Sequence, residues 1–232
     1  MKNLVIGLGE VGSAIRNILD CEGYDPMKGD FALGADNVTG YEVLHICFPW
    51  SDDFVSIVKK YQERWKPDMV IVHSSVPVGT CDPERWVHSP VRGVHPNLEE
   101  GIRTFVKYFG GERAAEAGVI FNVLGIPCIA TERARNTEAL KLLDTTQYGM
   151  MIKLQKEIHA WCVENNVDYL LAYEEANQTY NEGYMKLGRP EVVRPYLKNQ
   201  KGKIGGHCVI PNAHLIDAPF AKELLAFNDT LE

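Results

Sequence analysis

Leu4-Val5-Ile6-Gly7-Leu8-Gly9-Glu10-Val11-Gly12 decides how the chain is read. Three consecutive aliphatic residues suit a buried strand, and the glycines after them are spaced Gly-x-Gly-x-x-Gly. Beyond the glycines, Ala14, Ile15, Ile18 and Leu19 recur at helical spacing. A strand, a glycine turn and a helix in that order form a cradle for a dinucleotide. Gly7 permits the tight turn, Gly9 lets backbone approach a pyrophosphate, and Gly12 lets the helix pack against the strand. The helix start then offers N–H groups and a partial positive charge to phosphate, with Leu8, Glu10 and Val11 completing the loop. The plainer reading, a strand–helix turn without a ligand, is disfavoured by the flanking pattern.

An acidic residue closing the second strand would bond the adenosine ribose. Asp25, in Gly23-Tyr24-Asp25-Pro26, fits that place and favours NAD. It follows Gly12 early, which calls for a short first helix. Lys28 nearby keeps NADP open, and Asp25 also reads as a turn residue before Pro26.

Further strands are expected at 43–48, 69–73 and 127–130, and helices at 52–65 and 114–124. Short apolar strands alternating with helices predict a parallel sheet covered on both faces. From about Asn136 the texture changes: Leu140, Leu143, Met150, Met151, Leu154, Ile158 and Trp161 recur at three- and four-residue steps. That is one long helix, in which Trp161 and the methionines read as packing residues. The Asn165-Asn166 break, a second helix over 169–187, a loop over 188–211 and a last helix from Ala218 follow. The expected fold is α/β, a Rossmann-like doubly wound parallel sheet over 1–132 followed by a helical extension over 133–232. The long helix carries more apolar surface than one Rossmann face covers, so a homodimer packed through about 136–165 is expected.

Composition narrows the function classes. The chain has 232 residues, with Lys+Arg 24 against Asp+Glu 31 and a net charge of -7. With no Lys/Arg-rich run, it lacks the clustered cations of a general nucleic-acid surface. No apolar run reaches membrane-spanning length, and the amino terminus turns glycine-rich too soon for a signal-peptide core. Six cysteines without CxxC pairs read as reduced thiols in a cytosolic protein; Cys47 is expected within a strand.

Three further segments resemble the nucleotide-sugar dehydrogenases (the UDP-glucose, GDP-mannose and UDP-N-acetylmannosamine dehydrogenase family). His73-Ser74-Ser75-Val76-Pro77-Val78-Gly79-Thr80 resembles the family's "STVPxGT" loop by the nicotinamide. Glu138-Ala139-Leu140-Lys141-Leu142-Leu143 resembles its "E-x-x-K-L" helix. Lys203-Ile204-Gly205-Gly206-His207-Cys208-Val209-Ile210-Pro211 resembles its "GxGGHC-x-P" loop. The matches run in family order and thin between residues 90 and 125. The resemblance implies a nicotinamide-dependent oxidation of an alcohol in which Cys208 traps an aldehyde as a thiohemiacetal. It implies a truncated relative, since members carry a second nucleotide-sugar-binding domain. The departures are specific: Val91 follows Ser89-Pro90 where members have a glutamate. Thr145 stands for an asparagine, and Asn212 for an aspartate.

The candidate catalytic residues are therefore Cys208, Lys141 and Ser75. Lys203 and His207 lie close to Cys208, and nearby cations favour a thiolate. A buried apolar cysteine is the alternative, which a loop of Lys, Gly and His makes a poor fit. Lys141 would hold an alkoxide, or else pair on the surface with Glu138. Pro49, Ser75 and Thr80 join the cofactor-binding set at strand ends. Arg92, His95, Thr145, His207 and Asn212 are candidate substrate residues. Arg92 and His95 suit a carboxylate, and Val94-His95-Pro96-Asn97 is similar to a His-Pro segment of prephenate dehydrogenases. His207, Cys208 and His214 match no standard zinc spacing, so no metal is assigned. Two other readings stay open: a non-catalytic NAD-binding module, and a prephenate- or 3-hydroxyacid-type dehydrogenase acting on a small carboxylate.

Overall fold

Successive residues of a strand point to opposite faces of its sheet, and here each face finds its own helices. The computed structural model describes residues 1–27, 29–30, 40–93, 96–206 and 208–231. The strands are β1 (Asn3–Ile6), β2 (Glu22–Asp25), β3 (Gly29–Asp30), β4 (Val43–Ile46), β5 (Met69–Val72), β6 (Val87–His88), β7 (Lys107–Gly110) and β8 (Cys128–Thr131). They form one sheet in the order β3-β2-β1-β4-β5-β6-β7-β8. β1 lies parallel to both neighbours, with Ile6 opposite Tyr24 and Ile46.

Val5, Val43, Ile71 and Phe109 pack on one face against α1 (Glu10–Leu19), α3 (Leu98–Thr104) and α4 (Ala114–Asn122). Leu4, Ile6, Leu44, Ile46, Val70 and Val72 pack on the other against Phe54, Val58 and Trp65 of α2 (Phe54–Trp65). Burial on both faces is why the central strands read as unbroken aliphatic runs.

The fold is the expected Rossmann-like α/β architecture, with two differences. The sheet is mixed: β3 runs antiparallel to β2, and β7 antiparallel to β6. The connection carrying α3 begins and ends at the same edge of the sheet, so β7 starts where β6 stops. Cys47 lies one residue beyond β4 rather than inside it.

The chain divides into two compact units, Met1–Lys141 and Leu142–Glu232. The division falls within the long helix α5 (Ala134–Glu164), which Asn166 ends with a left-handed φ of 52°. In the second unit, a π-helical segment (Leu170–Glu175) leads into α6 (Ala176–Lys186). The single helix expected over 169–187 thus opens with a wider turn. The expected loop over 188–211 already contains the start of α7 (Val209–Ala213), and α8 (Pro219–Asp229) closes the unit. Its core is Ile152, Ile204, Val209, Ala213 and Leu224. Trp161, expected to pack, is 57% exposed on α5. No described helix is long and apolar enough to cross a membrane.

Candidate functional site

The glycine loop joins β1 to α1 as the spacing requires. Gly7 takes φ +88°, and a Cβ on Gly12 would stand 1.8 Å from the Gly7 carbonyl oxygen, so the two glycines define the turn together. Gly9 is the N-cap of α1, no side chain caps the helix, and a Cβ there would meet nothing within 4 Å. The space over Gly9 and the uncapped helix start match the needs of a phosphate group. Asp25, 8% exposed at the end of β2, braces this loop. Its Oδ2 accepts the Leu8 amide at 2.7 Å and its Oδ1 the Met27 amide at 2.9 Å. Each carboxylate oxygen keeps further lone-pair capacity for a hydroxyl.

At the next strand ends, Pro49 is exposed and Ser75 and Thr80 are half-buried. The Thr80 hydroxyl donates to the Pro77 carbonyl at 2.7 Å, which gives it a turn-forming role. The Ser74 hydroxyl donates to the Phe48 carbonyl at 2.6 Å and ties the β4 and β5 loops together. Glu138, fully buried near the start of α5, accepts the Gly79 amide at 2.5 Å and the Cys81 amide at 2.8 Å. It is therefore no surface partner for Lys141, which lies half-buried one turn further along the helix.

Sequence reading missed a buried polar network within the first unit. His45 Nδ1 lies 3.0 Å from His73 Nε2, and His73 Nδ1 lies 2.8 Å from the Ser89 carbonyl oxygen. That carbonyl accepts, so His73 carries its proton on Nδ1. Lys107 Nζ also donates to the Ser89 carbonyl, at 3.2 Å. His88 lies 2.9 Å from the Thr137 hydroxyl. Burial pushes His45 and His88 down to about 3, with Lys107 adding to the effect, and drives His73 well below the usual histidine range. Burial also lowers Lys107 to about 7, against a small opposing influence of Cys47 and Cys128. The histidines are thus neutral hydrogen-bonding groups of the interior at neutral pH. Their only sequence signal is a polar residue inside an apolar run, as in Val43-Leu44-His45-Ile46.

In the second unit, Cys208 is the half-buried residue immediately before α7. Asn212, 5% exposed on α7, donates from Nδ2 to Thr145 Oγ1 at 3.1 Å. Two of the three positions that depart from the family pattern, Thr145 and Asn212, are therefore bonded to each other. The segment leading to Cys208 is strapped down by side chains. Asn181 bonds both the N–H and the carbonyl of Arg194, at 3.0 and 2.8 Å. Glu174 accepts the Asn199 amide at 3.1 Å, and Lys156 donates to the Gln200 carbonyl and, at 2.7 Å, to that of Gly202. Lys203 is exposed.

Arg92 is half-buried, with its guanidinium 5.7 Å from the centre of the Phe105 ring. His95 and His207 lie outside the described residues.

No protein-family model matches the chain, and no curated protein matches it in sequence. Solved structures share its fold. UDP-D-ManNAc dehydrogenase from Pyrococcus horikoshii superposes with a TM-score of 0.76 at 18% identity, covering 99% of this chain and 68% of that one. UDP-N-acetyl-mannosamine dehydrogenase from Staphylococcus aureus gives 0.69 at 20% identity, with the same coverages of 99% and 68%. Psf3 in complex with NADP+ and 2-OPP gives 0.56 at 15% identity, covering 98% of this chain and 93% of that chain.

Proposed function

We propose that the chain is an NAD(P)-dependent oxidoreductase that oxidises an alcohol group of a small molecule, with a sugar nucleotide as the substrate class. The observation that carries this is the open space over Gly9 at a helix start that no side chain caps, with Asp25 beside it on β2. Structural likeness to dehydrogenases of UDP-sugars supports it. When bound, the nicotinamide would accept a hydride from the alcohol carbon.

In this reading, amides of the glycine loop hold the pyrophosphate, and Asp25 accepts from a ribose hydroxyl, which favours NAD. Pro49, Ser75 and Thr80 face the cofactor from the β4 and β5 loops. Lys141 stabilises the alkoxide as the hydroxyl proton leaves. The Cys208 thiol adds to the aldehyde carbonyl, giving a thiohemiacetal. Transfer of a second hydride to a second oxidised nicotinamide cofactor, with the hydroxyl proton passing to water, would make a thioester, and water then releases the acid and frees the thiol. Arg92, His95, Thr145, His207 and Asn212 contribute to substrate binding.

The protein acts as a cytosolic homodimer that buries the apolar residues left exposed on α5, Leu143, Leu154 and Trp161 among them. Turnover of UDP-sugars, GDP-sugars and hydroxyacids, followed by reduced-cofactor fluorescence, tests the substrate class. Cys208→Ser should keep NAD+ binding and lose acid formation. Unchanged acid production in that variant would remove the cysteine from the mechanism.

A further inference from the structure

The loop over residues 75–81 and the first turns of α5 hold each other in both directions. Glu138 Oε2 accepts the Gly79 amide and Oε1 the Cys81 amide. In return, Asp82 accepts the Ala134 amide at 2.7 Å and Arg135 Nε at 3.0 Å. Gly79 sits at φ +95°, and the Glu138 carboxylate is its amide's hydrogen-bond partner. This loop follows β5 at the carboxyl edge of the sheet, where open α/β folds bind their ligands.

A carboxylate suits two diverging N–H groups because both of its oxygens accept. A glutamine would accept one and turn its own NH2 toward the other. Burying a charge is costly, and among the described residues the bonds to this carboxylate come from the Gly79 and Cys81 amides and the Cys81 thiol rather than from a cation. Among the described residues, the titratable groups that act on Glu138 are Cys81, whose amide and thiol both hydrogen-bond to it, and Asp82, whose negative charge opposes ionisation.

We propose that Glu138 is a positioning residue for the cofactor: its ionised carboxylate fixes the 75–81 loop in the shape that receives the dinucleotide. The proposal rests on the dinucleotide reading above. Burial raises the carboxyl above its ordinary range, against the pull of the two amides. Acidification therefore neutralises it earlier than an exposed glutamate and loosens the loop.

The test is NAD+ binding by calorimetry for the wild type and Glu138→Gln between about pH 8 and about pH 5, with melting curves alongside. Glu138→Gln should bind about tenfold more weakly at the alkaline end, the loss expected for one charge-assisted bond. The gap should narrow toward the acid end, because protonation of the wild-type carboxyl removes the charge that the variant lacks. The wild-type minus variant comparison cancels the titrating groups that do not interact with Glu138, Lys107 included. Glu138→Asp should keep the pH dependence with intermediate affinity. A purely structural role would move the melting temperature and leave any affinity gap constant with pH, which would overturn the proposal, as would equal affinities throughout.

Should Glu138→Gln fail to fold, amide exchange in the wild type decides. The Gly79 and Cys81 amides should be protected at the alkaline end and lose protection on acidification in step with NAD+ affinity. Protection that stays constant would refute the clamp. A wild type that binds neither NAD+ nor NADP+ would sink the dinucleotide reading itself, and this proposal with it. Binding without a Glu138 effect would sink this proposal alone.

Discussion

A methyl group added at Gly9 would meet open space, whereas one at Gly12 would collide with the Gly7 carbonyl. The contrast separates the folding role of the glycine loop from the binding role proposed for it. Gly12→Ala should lower stability by about 1–3 kcal/mol in urea unfolding, because helix and turn must part. Gly9→Ala should melt like the wild type yet bind NAD+ about tenfold more weakly, since the methyl group occupies the approach to the amides. Undiminished binding by Gly9→Ala would show that no phosphate uses that space. At this scale the glycines were legible from spacing alone, and Asp25 was legible as an acid at a strand end. That Asp25 also braces Leu8 and Met27 was not, because the bracing depends on where β2 stops relative to β1. Glu138 stayed hidden for a similar reason: its partners lie 59 and 57 residues away in sequence.

Among elements, β1, α1 and α5 announced themselves through aliphatic runs or long periodicity. β6 has two residues and β7 opens with a lysine, so neither carries a pattern of its own. That lysine has consequences for stability. Lys107 titrates near 7 in the folded protein against an ordinary value of 10.5, so the unfolded chain holds its proton more tightly across that window. Stability should therefore rise with pH from about 7 to 10.5, and Lys107→Met, which fills a similar volume without the amine, should flatten the rise. The same variant should be more stable near neutral pH by about 1–3 kcal/mol in urea unfolding. An unchanged slope would show that the amine is hydrated in solution. His45 and His88 follow the same sign at lower pH: stability should fall as pH drops from 6.5 toward about 3.

For the molecule as a whole, the long apolar repeat from about Asn136 was plain in the sequence. Which of its residues stay uncovered was not, since a helical repeat does not say how much of its surface a neighbour will take. Leu154 and Trp161 are 55% and 57% exposed, more apolar surface on one helix than scattered solvent-facing residues explain. Sedimentation at micromolar concentration should give a dimer, and Leu154→Glu should shift it toward monomer; a monomeric wild type would refute that assembly. The approach to Cys208 carries a different lesson. Because Asn181, Glu174 and Lys156 fasten that stretch one knot at a time, each can be untied separately. The course of the segment that delivers Cys208 is thus adjustable by substitutions on helices outside its own loop, a route by which, under the proposed mechanism, a lineage could retune the thiol while keeping the residues around it.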